Sequence, residues 1–439
     1  IIGAGPAGLS CAFYLAEKGY KPVVFEKNER PGGMLTYGIP SFKLQKDVIE
    51  AEVEVIRLMG AEFRYGVEVG RDVTLDELRA QGFKAFYVAI GCQGGRLAGI
   101  PGEDAEDVTV AVDFLREVNS GKIDALPGRT IVVGGGNVAI DVARNACRLG
   151  SEHVEMFCLE SEAQMPASEE ERREAIEDGA HISCGWGPKE VHLDEAGRVC
   201  GITFKRCTRV YDDEGRFAPE YDENDLRRVD ADRVVMSIGQ SIVWGDLLAG
   251  SKVELGRGQG ALADPQTYQT AEPDIFVGGD VYTGPSFAID AIAAGHEAAV
   301  SIHRFVQPGS TLTIGRNQRR YTALDRDDVV IESYDNASRE VVHVDREREK
   351  AAPFSEYVET FTEEQVRAET ARCLGCGASI VDPNKCIGCG LCTTKCAFDA
   401  IHLDRDRPEC STMVKYEQKL PSLGKYALKR AIKIKFGRK

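Results

Sequence analysis

Apolar and polar positions along the first 33 residues follow the order strand, glycine-rich loop, amphipathic helix and strand. A short apolar strand precedes the loop, apolar residues then recur at helical spacing, and a second apolar strand covers 23–25 before Glu26. The loop has the form GxGxxG, with its glycines at Gly3, Gly5 and Gly8. This pattern predicts a dinucleotide-binding βαβ unit. A glycine turn that serves only the local backbone is the alternative.

Each residue type in this loop has a physical role. Gly3 permits a tight turn, Gly5 lets the backbone approach a pyrophosphate, and Gly8 lets the helix and strand pack closely. The helix N-terminus offers free N–H groups to phosphates, and a carboxylate at Glu26 can accept hydrogen bonds from a ribose diol. Because only two residues of the first strand are present, while strands average about five or six, we expect the natural N-terminus to lie upstream.

A second unit of the same kind begins after an apolar strand at 130–133. Gly134, Gly136 and Ala139 fill a GxGxxA pattern, and the next strand, 154–159, ends at Glu160. Two such loops imply two nucleotides, and an α/β repeat without a ligand is the alternative. A strand is predicted at 234–239. A further strand follows, which contains a double glycine and ends at Asp280, and a helix begins near Pro285. The chain therefore returns to its first nucleotide fold after inserting the second.

These patterns predict an α/β protein with two Rossmann-like dinucleotide-binding domains and a small C-terminal ferredoxin-like iron–sulfur segment. The first dinucleotide-binding domain is interrupted by the second. The predicted boundaries are 1–104 for the N-terminal portion of the first domain, 105–233 for the second domain, 234–310 for the returning portion of the first domain, 311–370 for a charged connecting segment, 371–411 for the iron–sulfur segment and 412–439 for a basic tail. We expect one helix in the connecting segment, near 362–371.

Composition limits the partners and the compartment. At 439 residues, about three domains are expected. The net charge of −16 and the pI near 5.1 argue against a nucleic-acid-binding body, which would need a basic face. No apolar run reaches the length of a membrane span, and no signal peptide is visible. Fourteen cysteines, seven of them crowded between 373 and 410, fit a reducing cytoplasm.

The crowded cysteines have the spacing of an iron–sulfur site. The run C-x2-C-x2-C-x3-C of bacterial ferredoxins is formed by Cys386, Cys389, Cys392 and Cys396. Zinc is the alternative, but zinc sites usually take two CxxC pairs that are farther apart. The remaining cysteines are candidates for a second cluster: Cys373, Cys376 and Cys410. Two all-cysteine [4Fe–4S] clusters need eight ligands, whereas this segment supplies seven, so one or two clusters are predicted.

The motifs GAGPAGLS, GGMLTYGIPSFKL, GIPGED, GGGNVAIDVAR, MPASEEE and GGDVYTGPS, in this order, resemble the flavoprotein family of the glutamate synthase small subunit. That family also includes the N-terminal half of dihydropyrimidine dehydrogenase. The resemblance covers residues 1 to about 306 and implies FAD on the first fold, a nicotinamide nucleotide on the second, and hydride transfer between them. The predicted FAD contacts are Gly3, Gly5, Pro6, Ala7, Gly8, Glu26, Lys27, Gly33, Met34, Leu35, Val69, Gly91, Gly279, Asp280, Ser286, Phe287 and Ala288. The predicted NAD contacts are Gly134, Gly135, Gly136, Asn137, Val138, Glu160 and Gly239.

One departure from the family pattern bears on nucleotide choice. NADPH-using relatives tend to have Tyr-Arg-Arg where this chain has Cys158, Leu159 and Glu160. Two arginines would bind a 2′-phosphate by charge-assisted hydrogen bonds, whereas a carboxylate would repel it and bind the free 2′-hydroxyl. The departure predicts a preference for NAD(H).

The sequence therefore predicts an electron-transfer flavoprotein that passes electrons between NAD(H) and iron–sulfur clusters for a partner. That partner is another subunit of a multisubunit oxidoreductase or a ferredoxin. No catalytic acid or base is required, because the flavin carries the chemistry. A stand-alone NAD(P)H-dependent reductase and a non-catalytic redox sensor or assembly subunit are the alternatives, and the sequence allows either direction of electron flow. The basic tail is either a solvated helix end or a dock for an acidic partner.

Overall fold

The computed structural model describes residues 1–314, 316, 338–372, 386–395, 401–403 and 415–436. Contacts between residues divide the chain into two units. The first unit comprises Ile1–Glu332 and Val341–Thr362, and the second comprises Ser333–Glu340 and Glu363–Lys439.

The first unit begins with a nucleotide fold built on a parallel sheet. Its elements are α1 (Pro6–Glu17), β1 (Val23–Glu26), α2 (Met34–Tyr37), α3 (Lys46–Leu58), β2 (Glu62–Tyr65), α4 (Leu75–Ala80), β3 (Phe86–Val88) and β4 (Gly94–Gly95). Strands β1 and β2 pair in parallel, and Ile2 forms parallel bridges to both Phe25 and Val88. The residue before the first glycine loop therefore lies between β1 and β3, which directs the loop to the carboxyl edge of the sheet.

The second nucleotide fold follows directly. Its elements are β5 (Val108–Val110), α5 (Ala111–Asn119), β6 (Arg129–Val133), α6 (Asn137–Arg148), β7 (His153–Cys158), α7 (Glu169–Glu177), β8 (His181–Cys184), β9 (Trp186–Leu193), β10 (Val199–Tyr211), β11 (Phe217–Val229), β12 (Arg233–Met236) and β13 (Gln240–Ser241). A five-stranded parallel sheet has the order β5-β12-β6-β7-β8. Four of the five residues of β6 are buried, which fits a strand covered on both faces. A separate antiparallel sheet has the order β11-β10-β9.

The predicted boundary between 233 and 234 is wrong. Strand β12 pairs in parallel with both β5 and β6, so Val234, Val235 and Met236 are part of the central sheet of the second fold. The apolar run at 234–239 carries no signal for which of two parallel sheets it joins. The chain crosses back only afterwards, where Gln240 and Ser241 pair with Gly95 and Gly94.

The return to the first fold uses β14 (Ile275–Val277), α8 (Asp280–Thr283) and α9 (Ala288–Val306). Strand β14 pairs in parallel with β3, which confirms that the first nucleotide fold is completed after the second. Asp280 does not end a strand as predicted, because the strand stops at Val277 and Asp280 begins a short helix. Helix α9 packs closely on α1, since a Cβ added to Gly295 would lie 2.2 Å from the Ala7 carbonyl oxygen.

The predicted connecting segment, 311–370, is not one structural piece. Residues Val341–Thr362 belong to the first unit and contain α10 (Arg346–Ala351) and the buried Tyr357. The second unit contains α11 (Glu363–Ala371), α12 (Leu391–Lys395) and α13 (Tyr416–Phe436). Helix α11 agrees with the helix predicted near 362–371. Over the described ranges of the chain, no helix is long and apolar enough to cross a membrane.

Candidate functional site

A cleft between the two nucleotide folds encloses about 1120 Å³, including its open mouth. Both folds contribute to its wall. Of the predicted FAD contacts, the cleft is lined by Gly3, Gly5, Pro6, Ala7, Glu26, Gly33, Met34, Leu35, Gly91, Gly279, Asp280, Ser286, Phe287 and Ala288. From the second fold it is lined by Val112, Leu115, Val138, Asp141 and Gln240, of which the sequence predicted only Val138.

A second cavity of about 490 Å³ shares some of that wall. Glu26 and Gly91 line both spaces, while Lys27, Val69 and Trp244 line only the second. The two cavities together bring sixteen of the seventeen predicted FAD contacts to one continuous surface, fourteen in the cleft and two more in the second cavity. The seventeenth is Gly8, which lines neither cavity.

The three glycines of the first loop divide into two that are closely packed and one that faces open space. A Cβ on Gly3, where φ is +102°, would lie 2.4 Å from the Ala89 carbonyl oxygen, and one on Gly8 would lie 1.9 Å from the Gly3 carbonyl oxygen. A Cβ on Gly5 would meet no atom within 4 Å. Gly5 is also the N-cap of α1 and supplies no side chain to the free N–H groups of the first turn. The residues therefore fit a pyrophosphate at Gly5.

Glu26 is held rigidly beside this loop. Its carboxylate is buried, and one oxygen accepts a hydrogen bond from the Ala4 N–H at 2.8 Å. The other oxygen accepts from the backbone N–H and the side-chain amide of Asn28, at 2.9 and 2.6 Å. A carboxylate oxygen has more than one lone pair, so the remaining ones can accept from the two hydroxyls of a ribose that enters the cavities.

Asp280, which follows the double glycine, also lines the cleft. Burial raises the pKa of its carboxyl, although backbone N–H groups of Ser286 and Cys92 act against that rise. Cys92 is buried, its thiol donates to the Asp280 carbonyl oxygen at 3.7 Å, and burial raises its pKa to about 12. A thiol with such a pKa is a packed small residue and not a nucleophile.

Asp141 is a residue of the cleft that no sequence motif predicts. Its carboxyl oxygen lies 2.6 Å from the Lys43 amine, which also pairs with Glu171. Burial raises the pKa of the Asp141 carboxyl to about 6, and the Lys43 charge opposes this shift only partially. Lys43 belongs to the first fold and the two carboxylates to the second, so the ion pairs tie the folds together at the edge of the cleft. The one feature of the sequence that could have indicated a role for Asp141 is its position in the first two helical turns after a nucleotide-binding loop.

The second glycine loop repeats the geometry of the first. A Cβ on Gly134 would lie 2.3 Å from the Ser237 carbonyl oxygen, whereas one on Gly136 would meet no atom within 4 Å. Gly136 is the N-cap of α6 and leaves the first turn without a side-chain cap, while Ala139 is fully buried. The Asn137 side chain accepts a hydrogen bond from the Ser168 N–H at 3.2 Å, so it is already committed within the protein. The loop fits a second pyrophosphate at Gly136.

Glu160 lies beside this second loop. A Cβ on Gly135 would lie 3.1 Å from a Glu160 carboxylate oxygen. Within the described residues, that carboxylate has no ion-pair partner, while its backbone carbonyl accepts from the Gly185 N–H at 2.9 Å. The neighbouring Leu159 side chain points elsewhere, because its Cδ2 lies 2.9 Å from the Cβ position of Gly187 in β9. Gly239 lies near the Arg96 side chain, at 3.6 Å from its Cβ position.

Three of the predicted cluster ligands are described in the second unit. Cys386, Cys389 and Cys392 are exposed, and the Gly388 N–H donates to the Cys386 sulfur at 3.4 Å. The other predicted ligands, Cys373, Cys376, Cys396 and Cys410, lie outside the described residues. Among the residues that are described, no group of three or more His, Cys, Asp or Glu side chains is arranged to hold a metal ion.

A first nucleotide fold that is interrupted by a second, with an open glycine at each loop, defines a flavin- and pyridine-nucleotide-binding oxidoreductase. The chain belongs to the pyridine nucleotide-disulphide oxidoreductase family, whose sequence model matches residues 1–295. A 4Fe-4S binding domain matches residues 379–402. The resemblance to the glutamate synthase small subunit is also confirmed by the relatives.

The chain is 35% identical to the NADP(+)-dependent formate dehydrogenase subunit beta of Moorella thermoacetica, over 86% of this chain and 54% of that protein. It is 35% identical to the glutamate synthase [NADPH] small chain of Escherichia coli, over 70% and 68%. It is 33% identical to the NAD-dependent dihydropyrimidine dehydrogenase subunit PreT of Escherichia coli O157:H7, over 70% and 68%. The chain thus spans about half to two thirds of the length of these relatives.

Two solved structures show the same fold. FprA of Mycobacterium tuberculosis has a TM-score of 0.59 at 18% identity, over 69% of this chain and 83% of that chain. Thioredoxin reductase of T. acidophilum has a TM-score of 0.53 at 19% identity, over 69% and 96%. The predicted α/β class with two dinucleotide folds is confirmed.

Proposed function

We propose that this chain is the electron-transfer flavoprotein subunit of a multisubunit oxidoreductase and passes electrons between NAD(H) and iron–sulfur clusters by way of FAD. The observation that supports this best is the shared cleft. Its wall contains Gly5 of the first loop and Val138, two residues beyond the open glycine of the second. Two nucleotides whose pyrophosphates lie on these loops would bring their reactive rings into the same space.

The residues of the cleft bind and orient, and the chemistry belongs to the cofactor. FAD, when bound, accepts a hydride and releases its two electrons one at a time. Glu26 fixes a ribose, the uncapped N-termini of α1 and α6 bind pyrophosphates, and Phe287 with Leu35 supplies apolar wall to the cleft. The raised pKa of Cys92 argues against a thiol-based disulfide reductase at this position.

A partner subunit would carry the terminal reaction. The names of the relatives support this, since they include a formate dehydrogenase subunit beta and a glutamate synthase small chain. A ferredoxin is the alternative partner. Nucleic acid is not a candidate because the chain is acidic, and the cytoplasm suits its free thiols.

An anaerobic titration tests the proposal. NADH added to the reconstituted full chain should bleach the flavin absorbance first and then produce the EPR signal of a reduced cluster. Turnover of a small molecule by the isolated chain would instead support a stand-alone reductase. If NADH leaves the flavin oxidised, the cofactors are structural and the chain is a redox sensor or assembly subunit.

We also propose that the nucleotide is NAD(H), because the Glu160 carboxylate beside Gly135 would repel a 2′-phosphate. Like charges placed together in a desolvated site cost several kcal/mol. Flavin reduction should therefore be faster with NADH than with NADPH at equal concentration. The double change Leu159→Arg with Glu160→Arg should move the preference toward NADPH. Because Leu159 packs against β9, the single change Glu160→Arg isolates the charge and is the cleaner variant.

The cluster proposal assigns Cys386, Cys389, Cys392 and Cys396 to one [4Fe–4S] cluster and leaves Cys373, Cys376 and Cys410 for a possible second. Replacing Cys389 by Ser should remove one cluster's worth of iron and its visible absorbance. The flavin should stay bound and reducible by NADH. Unchanged iron content would exclude Cys389 as a ligand, and zinc in place of iron would exclude the cluster.

A further inference from the structure

Arg206 on β10 is an exposed cation that stands apart from its neighbours on the same strand. Lys205 pairs with Glu223 at 2.8 Å, and Arg209 pairs with Glu220, both across the β10–β11 ladder. For Arg206, no carboxylate lies within ion-pair distance among the described residues, although Asp222 is its register partner on β11. Because the Arg206 guanidinium does not pair with the Asp222 carboxylate opposite it, the Arg206 side chain is directed away from the β10–β11 hairpin.

The Arg206 guanidinium lies instead at the carboxyl end of the parallel sheet of the second fold. Its carbon and two terminal nitrogens are 3.2, 3.3 and 3.4 Å from the Cβ position of Gly185, the residue that follows β8. Gly185 has φ +80°, and a side chain there would make a tight contact with the guanidinium. The guanidinium also covers the Trp186 ring at 5.2 Å from its centroid. These contacts fix where the charge lies.

Gly185 links Arg206 to the residue that we propose selects the nucleotide. The Gly185 N–H donates to the Glu160 carbonyl oxygen at 2.9 Å, and its carbonyl oxygen accepts from the Cys207 N–H, also at 2.9 Å. Strands β7 and β8 are neighbours, with Cys158 opposite Cys184. Glu160 and Arg206 thus flank the same sheet edge, where the adenosine end of a dinucleotide bound at Gly136 would extend.

We propose that Arg206 is a second specificity-determining residue, which binds the 2′-phosphate of NADP(H) and opposes the selection imposed by Glu160. This inference rests on the proposed nucleotide site. A guanidinium forms charge-assisted, often bidentate hydrogen bonds to phosphate, and it gains nothing comparable from a free hydroxyl. With both residues present, the chain discriminates against NADP(H) less strongly than it would with Glu160 alone. It therefore binds both nucleotides with a bias for NAD(H).

Binding titrations of the oxidised holoprotein test this without turnover. The probes are NAD⁺, NADP⁺, 5′-AMP and adenosine 2′,5′-bisphosphate. In Arg206→Gln, affinity for the two 2′-phosphorylated probes should fall about tenfold or more, the lower end of a hydrogen bond to a charged group. Affinity for NAD⁺ and 5′-AMP should change less than about twofold, because these two probes have no 2′-phosphate that could lose its contact with Arg206. The NADP⁺ affinity should also lose some of its dependence on salt.

Arg209→Gln is the matched control, because it removes the same charge from the same strand at a residue already paired with Glu220. It should leave all four affinities unchanged. Equal weakening of all four probes in Arg206→Gln would overturn the inference in favour of a packing or adenine-stacking role, and no change would overturn it outright. If the holoprotein binds neither NAD⁺ nor NADP⁺, the proposed function fails instead.

Discussion

Gly5 and Gly136 hold the same position in the two glycine loops, and their backbone conformations explain why they are informative residues to change. Gly5 has φ −76° and ψ 178°, and Gly136 has φ −90° and ψ 173°, an extended conformation that any residue adopts. A valine at either position therefore strains no backbone and meets no protein atom near its Cβ. It fills only the space in which we propose that a pyrophosphate lies.

We expect Gly5→Val to abolish flavin retention and Gly136→Val to abolish nicotinamide-nucleotide binding while the flavin stays bound. The flavin-to-protein absorbance ratio and an NAD⁺ titration measure the two effects. Each variant is the control for the other. Full flavin content in Gly5→Val would show that the first loop is not the FAD loop.

Asp141 predicts a pH dependence of stability. Its carboxyl titrates near 3.8 when unfolded and at about 6 when folded, because burial disfavours the charged form. The folded state holds this proton more tightly, so the stabilising contribution is complete below the unfolded pKa and is lost as the pH rises through about 6. This difference between the folded and unfolded pKa of Asp141 corresponds to at most on the order of 3 kcal/mol.

The variant Asp141→Asn cannot titrate at this position. The unfolding temperature of the holoprotein minus that of Asp141→Asn should therefore fall as the pH rises from about 4 to about 7 and then level off. The exposed Asp113, changed to Asn, controls for the loss of one carboxylate. A difference that stays constant or increases with pH would contradict the assigned burial effect.

At the scale of elements, residues Val341–Thr362 fasten the two nucleotide folds together. The hydroxyl of Tyr357 accepts a hydrogen bond from Arg144 of α6 at 2.6 Å, and Arg148 donates to the Pro353 carbonyl oxygen at 2.6 Å. Both guanidiniums also cover the Phe42 ring of the first fold, at 4.8 and 4.2 Å from its centroid. The segment thus contributes to the same junction as the Lys43 ion pairs.

We expect Tyr357→Phe to lower the free energy of unfolding by about 1.5–3 kcal/mol, the contribution of a hydrogen bond to a charged group. The ring stays in place against Arg148, so only the hydroxyl contact is lost. Hydrogen exchange at 343–358 should accelerate in parallel. Tyr426→Phe, on the exposed surface of α13, removes the same atom and should have no effect on either measurement.

The sequence predicts elements well where one segment determines its own structure. The loops and the strands at Val23–Glu26, Arg129–Val133 and His153–Cys158 carry local glycine and apolar patterns, so they were found within a residue or two. Prediction from the sequence fails where the structure of a segment depends on residues far away in the chain. Strand β12 could join either parallel sheet, and residues 341–362 are held by side-chain contacts to distant parts of the chain, which leave no periodic pattern in the sequence.

The same limit applies to the candidate site. Residues inside a motif, such as Glu26 and Asp280, were predicted because the motif fixes their place. Lys43, Asp141 and Arg206 were not, since each acquires its role through a residue far away in the chain. Burial and cross-domain pairing are properties of the fold and have no local signature.

At the scale of the whole molecule, charge is unevenly distributed. The chain carries a net charge of −16, yet α13 has six basic residues and one acidic residue, Glu417. Among the described residues of this helix, three apolar side chains are about half exposed or more: Leu420 at 50%, Leu423 at 49% and Ile434 at 66%. A basic helix with exposed apolar residues on an acidic protein is typical of a docking element for an acidic surface.

We expect the full chain to bind its partner subunit in a salt-dependent way through α13. Changing Lys425, Lys429 and Lys433 to Glu should weaken the association by about an order of magnitude or more at low salt, because attraction becomes repulsion. The difference from the native chain should shrink as salt rises, since screening lengths fall from about 10 Å at 0.1 M to about 3 Å at 1 M. Copurification and surface binding at several salt concentrations measure this.

The matched control changes three exposed lysines of the first unit, Lys18, Lys84 and Lys122, to Glu. Net charge then changes by the same amount as in the α13 variant, so a general effect of charge would weaken both variants equally. Dependence on α13 alone would establish a local dock, while flavin reduction by NADH, which we propose takes place in the first unit, should be unaffected in both. Association that persists unchanged in the α13 variant would mean that the helix is a solvated end and that the partner binds elsewhere.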